Sequence, residues 1–127
     1  MDKFGIGMAI EVTYITPDNG RPTLNLRDRS NNIILHVNPR WEERVLVLNT
    51  HIGGWGGEER PSGFDFSSGV PITVRVEAKP EHFVILVNGK VVHNYRHRLP
   101  VASVCAAEWG WKGTNKEAKL ISLSVFY

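Results

Sequence analysis

Seven side chains able to hydrogen-bond a ligand or stack on it lie within twenty-five consecutive positions of this chain: His36, Asn38, Arg40, Asn49, Trp55, Glu58 and Arg60. The first three alternate along Ile33-Ile34-Leu35-His36-Val37-Asn38-Pro39-Arg40, and the last three fall in Trp55-Gly56-Gly57-Glu58-Glu59-Arg60. Residues i, i+2 and i+4 of a strand share a face. His36, Asn38 and Arg40 are therefore expected side by side, with Leu35, Val37 and Pro39 facing the other way. Any one of the three alone reads as the solvated side of a half-buried strand. Three different hydrogen-bonding groups in register suit a site that grips a small polar molecule. Trp55, with glycines on both sides, has little local side-chain cover; it either plugs the end of the fold or offers a flat apolar face to a ligand. Arg40, Glu58 and Arg60 can form alternating charge pairs that fix the guanidinium forks before a ligand arrives. Fixed donors and acceptors around one aromatic plate match a hexose. Its hydroxyls need partners on leaving water, and the C–H patch on one side of its ring needs an apolar wall.

Other chemistries fit poorly. Glycoside hydrolysis uses two carboxyls roughly 5–9.5 Å apart across a bond, yet Glu58 and Glu59 are neighbours and point to opposite faces of a strand. Glu42 and Glu43, at a hairpin tip, share that defect. His93 and His97 stand four apart in a strand-to-loop context with no carboxylate or cysteine at ligand spacing, so zinc is not expected. His97 reads as structural and His82 as a strand-edge residue. No phosphate loop, Ser-His-Asp set or di-cysteine motif is present. The expectation is no catalysis, no metal and no cofactor.

The elements that must position these groups read as β throughout. Ile10, Val12 and Tyr14 alternate with Glu11 and Thr13, and Pro17-Asp18-Asn19-Gly20 is a turn signal. Leu24 and Leu26 alternate with Thr23, Asn25 and Arg27, and Ser30-Asn31-Asn32 turns the chain into the His36 strand. Val45 to Asn49 is a short strand, with Leu46 and Leu48 on one face and Val47 and Asn49 on the other. Gly53-Gly54-Trp55-Gly56-Gly57 is a loop. Phe64 and Phe66 share a face before the turn Ser67-Ser68-Gly69, and Ile72, Val74 and Val76 alternate after it. Asn88-Gly89 between Phe83–Val87 and Lys90–Val92 predicts a two-residue hairpin turn of type I′. Ile121, Leu123 and Val125 form the last alternating run, and only Val101–Ala107 reads as a short helical turn. Turn signals every eight to twelve residues point to an all-β sandwich or barrel.

Composition bounds the rest. The 127 residues suit one domain, and an apolar share of 42% is enough for a core. The charges are scattered and sum to +2, which argues against a nucleic-acid groove. Cys105 is the single cysteine; it rules out an internal disulfide, fits a reducing compartment and is expected as a small buried hydrophobe. Met1–Gly5 has no apolar run like a signal peptide, and no span suits membrane insertion.

The stretch Leu24-Asn25-Leu26…Ser30-Asn31-Asn32-Ile33-Ile34-Leu35-His36-Val37-Asn38-Pro39-Arg40 resembles the galectin signature. So does Val47-Leu48-Asn49 followed by Trp55-Gly56-Gly57-Glu58-Glu59-Arg60. The resemblance continues through Phe64-Asp65-Phe66, Glu81-His82-Phe83, Val87-Asn88-Gly89 and Tyr95-Arg96-His97-Arg98, and so covers nearly the whole chain. It implies a single carbohydrate-recognition domain over 1–127, a jelly-roll-like sandwich of two antiparallel sheets that binds β-galactosides of the lactose and N-acetyllactosamine type. By this similarity His36, Asn38 and Arg40 hold the axial 4-hydroxyl of galactose, Asn49 takes the 6-hydroxyl and Trp55 stacks on the ring. Glu58 and Arg60 reach the neighbouring sugar and brace Arg40. Glucose, with its 4-hydroxyl equatorial, would miss the cluster and leave buried polar groups unpaired at ~1–3 kcal/mol each. Glycoconjugates are the implied partners, with a homodimer left open; the implied location is the cytoplasm, the cell exterior by a route without a signal peptide, or both. The alternative is the same fold used as a protein-interaction or structural module with little sugar binding. Two departures stand out. The Trp41-Glu42-Glu43-Arg44 connection is short, so a tight hairpin is expected there, with Glu42 and Glu43 offsetting Arg44. Ala106–Gly113 is unlike the family pattern.

Overall fold

The computed structural model describes residues 4–15, 22–40, 43–62, 70–111 and 119–127. Among them are nine strands: β1 (Ala9–Ile15), β2 (Pro22–Arg27), β3 (Ile33–Arg40), β4 (Val45–His51), β5 (Ile72–Ala78), β6 (His82–Val87), β7 (Lys90–Arg96), β8 (Ala106–Trp111) and β9 (Lys119–Phe126). They form a five-stranded sheet in the order β7-β6-β5-β1-β9 and a four-stranded sheet in the order β4-β3-β2-β8. Every pairing is antiparallel. The all-β sandwich expected from the alternation is the architecture observed.

The core lies between the sheets. Ile10, Val12, Val76, Phe83 and Ile85 of the first face Leu26, Leu35, Val37, Leu46 and Leu48 of the second, and all are essentially inaccessible to water. Burying each side chain of this kind contributes about 1.5–3 kcal/mol. Tyr14 is equally deep, and burial pushes its phenol well above the ordinary tyrosine range. The Trp109 ring of β8 packs 4.8 Å from it, which gives a core role to part of the C-terminal segment that had looked foreign to the family pattern. Across the sandwich, Thr50 Oγ1 of β4 lies 2.5 Å from the Tyr95 hydroxyl of β7 and donates to the Ile34 carbonyl at 3.0 Å. This strut joins the edges of the two sheets.

The turns follow their residues. Asn88 and Gly89 have φ of 50° and 82°, the left-handed pair that a type I′ turn requires and that asparagine and glycine tolerate. The Asp28 carboxylate accepts from the Ser30 and Asn32 backbone N–H groups at 3.0 and 2.9 Å, closing the β2–β3 turn.

Three sequence expectations change. The fourth strand runs to His51 rather than ending at Asn49. In Val101–Ala107 only Val101–Ser103 forms a 3-10 turn, closed by Ser103 Oγ donating to the Pro100 carbonyl at 2.6 Å. Ala106 and Ala107 belong to β8, because β2 offers them ladder partners at Arg27 and Leu26. Cys105 is half-buried rather than fully buried. The Pro17–Gly20 turn, Phe64 to Gly69, Trp41, Glu42, Lys112 and Gly113 lie outside the described residues. Among the described residues no helix is long and apolar enough to cross a membrane.

Candidate ligand-binding site

The site is built on β3. Leu35 and Val37 point into the core while His36, Asn38 and Arg40 take the other face, as the alternation required. The alternation breaks one step earlier: Ile34 and Leu35 both join the core, next to the point where the β3–β4 register shifts. Opposite on β4, Asn49 pairs with His36 and Val47 with Asn38, so Asn49 stands beside the row.

Each polar group is held by the protein. His36 Nδ1–H donates to Asn25 Oδ1 at 2.8 Å, and Asn25 Nδ2 donates to Glu108 Oε1 at 3.0 Å. Glu108 also pairs with Arg27 at 2.8 Å. Hydrogen bonds from Arg27 and then Asn25 hold the Glu108 carboxyl below the usual carboxylate range. This chain fixes the His36 ring and its Nδ1 proton. Asn38 is only 5% exposed; its Nδ2 donates to the Pro22 carbonyl at 2.9 Å, and its Oδ1 accepts from Arg40 Nε at 2.9 Å. Asn38 thus orients Arg40 as well as lining the site.

The charged end is a four-membered ring. Arg40 pairs with Glu43 at 3.2 Å and with Glu58 at 3.8 Å; Arg60 pairs with Glu43 at 3.1 Å and with Glu58 at 2.9 Å. The expected Arg40–Glu58 brace is present but is the longest of the four contacts. Glu43, in the turn before β4, is a ring member that sequence reasoning did not include: its carboxylate pairs with both Arg40 and Arg60. Arg44 at φ 53° makes the tight reversal before β4. Hydrogen bonds from Arg60, then Arg40, hold the Glu43 carboxyl below its ordinary range, while those to Glu58 and Glu43 raise the Arg60 guanidinium.

Trp55 is 51% exposed, but the glycine-flanked loop does not leave it uncovered. Its ring lies 4.7 Å from that of His36 and 4.8 Å from that of His51, the latter edge-on. Backbone pairing carries the loop: Gly56 N donates to the Thr50 carbonyl at 3.0 Å, and Leu48 and Glu59 exchange two hydrogen bonds of 2.9 Å. The stretch from Trp55 to Pro61 therefore lies along the outer edge of β4 and covers it. Glu58 and Glu59 face opposite ways, as adjacent strand residues do. Glu59 reaches His93 Nε2 at 2.6 Å and Arg98 Nη2 at 2.9 Å on the far side. Burial opposes its ionisation most, yet the hydrogen bonds from His93 and Arg98 together outweigh it and its carboxyl lies below the ordinary range. His93 thus has a carboxylate partner that sequence spacing could not reveal. His97 is structural: its Nε2–H donates to the Lys79 carbonyl at 2.8 Å and its ring meets Phe83 edge-on at 4.5 Å. Among the described residues no three His, Cys, Asp or Glu side chains converge as a metal set.

All seven candidates therefore share one region of the four-stranded sheet and its flanking loop. Sequence reasoning missed Glu43, His51 and Arg98. Glu43 had a local signal, three residues from Arg40 across a short turn; Arg98, thirty-eight positions beyond Arg60, had none.

A two-sheet sandwich with fixed polar groups on one outer face and a half-exposed tryptophan beside them is a carbohydrate-binding module in form. The profile of the galactoside-binding lectin family matches residues 2–110. Galectin-7 of Homo sapiens is 34% identical over 109 residues, 82% of this chain and 80% of its own. Galectin-3 of Oryctolagus cuniculus is 37% identical over 92 residues, 69% of this chain and 38% of its own. The solved structure of a tetrameric galectin from the ball sponge Cinachyrella sp. superimposes with a TM-score of 0.86 at 34% identity, covering 100% of this chain and 96% of that one. The chain belongs to the galactoside-binding lectin family, the galectins. It spans between 33% and 38% of the length of the galectin-3 relatives it matches.

Proposed function

We propose that this chain binds β-galactosides such as lactose and N-acetyllactosamine on the outer face of β3 and β4, without turnover and without a metal ion. The observation that carries the reading is the Trp55 ring, 51% exposed and 4.7 Å from the His36 ring, beside a ring of paired charges. In β-galactosides one ring face is an uninterrupted run of C–H groups, which Trp55 can cover. The axial 4-hydroxyl on the other face then meets His36, Asn38 and Arg40. Asn49 takes the 6-hydroxyl. Glu58 and Arg60, joined by Glu43 to Arg40, reach the second sugar; their mutual pairing keeps the forks oriented while the site is empty. Calorimetric titration with lactose, with and without chelator, tests this. Cellobiose, which differs from lactose only at the 4-hydroxyl of the first ring, serves as the control. Lactose should bind in both conditions and cellobiose should give no measurable heat. No lactose binding, or binding lost on chelation, defeats the proposal.

We also infer that the chain self-associates. The sponge relative is a tetramer, and β9 is an edge strand of the five-stranded sheet, so its outer side is available for pairing with a second copy. Sedimentation across a concentration series should give a mass above 14.3 kDa. A strict monomer at high concentration removes this part of the reading and leaves the sugar site untouched.

A further inference from the structure

We propose that Arg98, which follows β7 in the opposite sheet, is a positioning residue for the sugar site: it sets the Asn49 amide and so determines how the ligand's hydroxymethyl group is read. The proposal rests on the galactoside reading above. Arg98 Nη1 donates to Asn49 Oδ1 at 3.1 Å, and Nη2 donates to the Gly57 carbonyl at 2.7 Å and to Glu59 Oε2 at 2.9 Å. Its guanidinium lies over the Tyr95 ring, 4.8 Å from the centroid. The other Glu59 oxygen accepts from His93 of β7 at 2.6 Å. One cation thus ties the ligand loop to the far sheet.

The consequence lies at Asn49. Its Oδ1 accepts from Arg98 and also from the Thr50 backbone N–H at 2.8 Å, while its Nδ2 donates to the Gly56 carbonyl at 2.9 Å. An amide oxygen has two lone pairs and the amide nitrogen two N–H donors. Both oxygen sites are filled, and one N–H is used. Turning the amide over would set its NH2 against two N–H donors and its oxygen against a carbonyl. Asn49 therefore offers the ligand one N–H and no acceptor, at a residue only 3% exposed. The group it meets must accept a hydrogen bond, as a hydroxymethyl oxygen does.

Gly56 supports the same assignment. A Cβ built there would stand 3.0 Å from Arg98 Nη1 and 3.3 Å from Asn49 Oδ1, so the loop backbone next to Trp55 is pressed against this pair. Three acceptors spread over Asn49, Gly57 and Glu59 require a planar fork; the point charge of lysine cannot span them.

The test compares methyl β-lactoside with its analogue lacking the galactose 6-hydroxyl, by calorimetry, for wild type, Arg98→Met and Arg98→Lys. Deoxygenation should weaken wild type by about tenfold, the loss expected when a buried donor goes unpaired. In Arg98→Met the parent lactoside should weaken by a similar factor, and the two ligands should bind within about threefold of each other. A purely structural role would lower both affinities and leave their ratio alone, so a folded Arg98→Met protein with the wild-type ratio overturns the proposal. Where Arg98→Met fails to fold, Arg98→Lys keeps the charge without the fork; its ratio should also collapse, and an unchanged ratio is again fatal. Failure of wild type to bind the lactoside would defeat the galactoside reading instead. The Asn49 side-chain amide resonances of the ligand-free protein would then decide: they should shift in Arg98→Met, and identical resonances overturn the role of Arg98.

Discussion

Replacing Trp55 with alanine should remove most of the lactose affinity while leaving the protein folded. The ring is 51% exposed. A tryptophan side chain presents roughly 250 Å², so about 125 Å² is open in the empty site, and a hexose lying on one face covers about 80 Å² of that. At ~25 cal/mol per Å² the lost burial is ~2 kcal/mol, or about a thirtyfold weaker dissociation constant. The stability term is of similar size. Alanine keeps the backbone bridge between positions 51 and 55 but forfeits the ring contacts with His36 and His51 and the covered half of the ring, at most about 3 kcal/mol at the same rate. Trp55→Phe retains a flat apolar face and should recover more than half of the lost binding free energy. Calorimetric titration of lactose gives the affinities, and thermal unfolding followed by circular dichroism shows whether the variant is folded. Lactose should also change the tryptophan emission of wild type and leave that of Trp55→Ala unaltered, although Trp41, Trp109 and Trp111 remain. A folded Trp55→Ala protein within threefold of the wild-type affinity would refute stacking on this ring and place the sugar elsewhere.

Double-mutant cycles read in lactose affinity should give Arg40 and Glu58 a coupling above zero, and Arg40 and Glu43 a larger one, because the first contact is 3.8 Å and the second a 3.2 Å hydrogen-bonded pair. Strict additivity at Arg40–Glu43 would mean that the hairpin does not brace the fork. Acid should weaken binding and stability together: Glu43 and Glu59 have carboxyls held below the ordinary range in the folded protein. Their contribution is then complete above the ordinary glutamate value of about 4.3 and is lost as pH falls through the lowered folded values. Lactose affinity and melting temperature should stay level from pH 7 to about 5 and decline below about 4; a decline already complete by pH 6 would assign the effect to a histidine.

How much of this was legible in the sequence depends on how local the cause is. Period-two alternation needs no knowledge of partners, and it placed His36, Asn38 and Arg40 on one face of β3 and Leu35 and Val37 on the other. Asn88-Gly89 announced its hairpin because the left-handed backbone there restricts the choice of residue. Alternation failed at Ile34, where a register shift lets two consecutive side chains enter the core. It also failed at Ala106 and Ala107, where pairing with β2 overrides the helical tendency of alanine. Glu43 was left out of the site because the direction of a side chain in a tight turn depends on backbone angles such as φ 53° at Arg44, which residue types alone do not give. Arg98 and His93 reach the site from the opposite sheet, and their positions depend on how the two sheets stack.

That division explains why Glu58 and Glu59 matter as a pair. A two-carboxylate catalytic arrangement is impossible for them because they face opposite ways, and the same geometry serves a binding site. Glu58 points forward to Arg60 and Arg40; Glu59 points back to Arg98 and His93. The segment carrying both runs along the edge of β4, held in front by the charges of the proposed sugar site and behind by charges that contact the other sheet. A loop rich in glycine would otherwise lose much conformational freedom on binding. Anchoring it on both faces means that this ordering is already complete before sugar arrives. On the proposed reading, affinity then depends on residues such as Arg98 that stand behind the site.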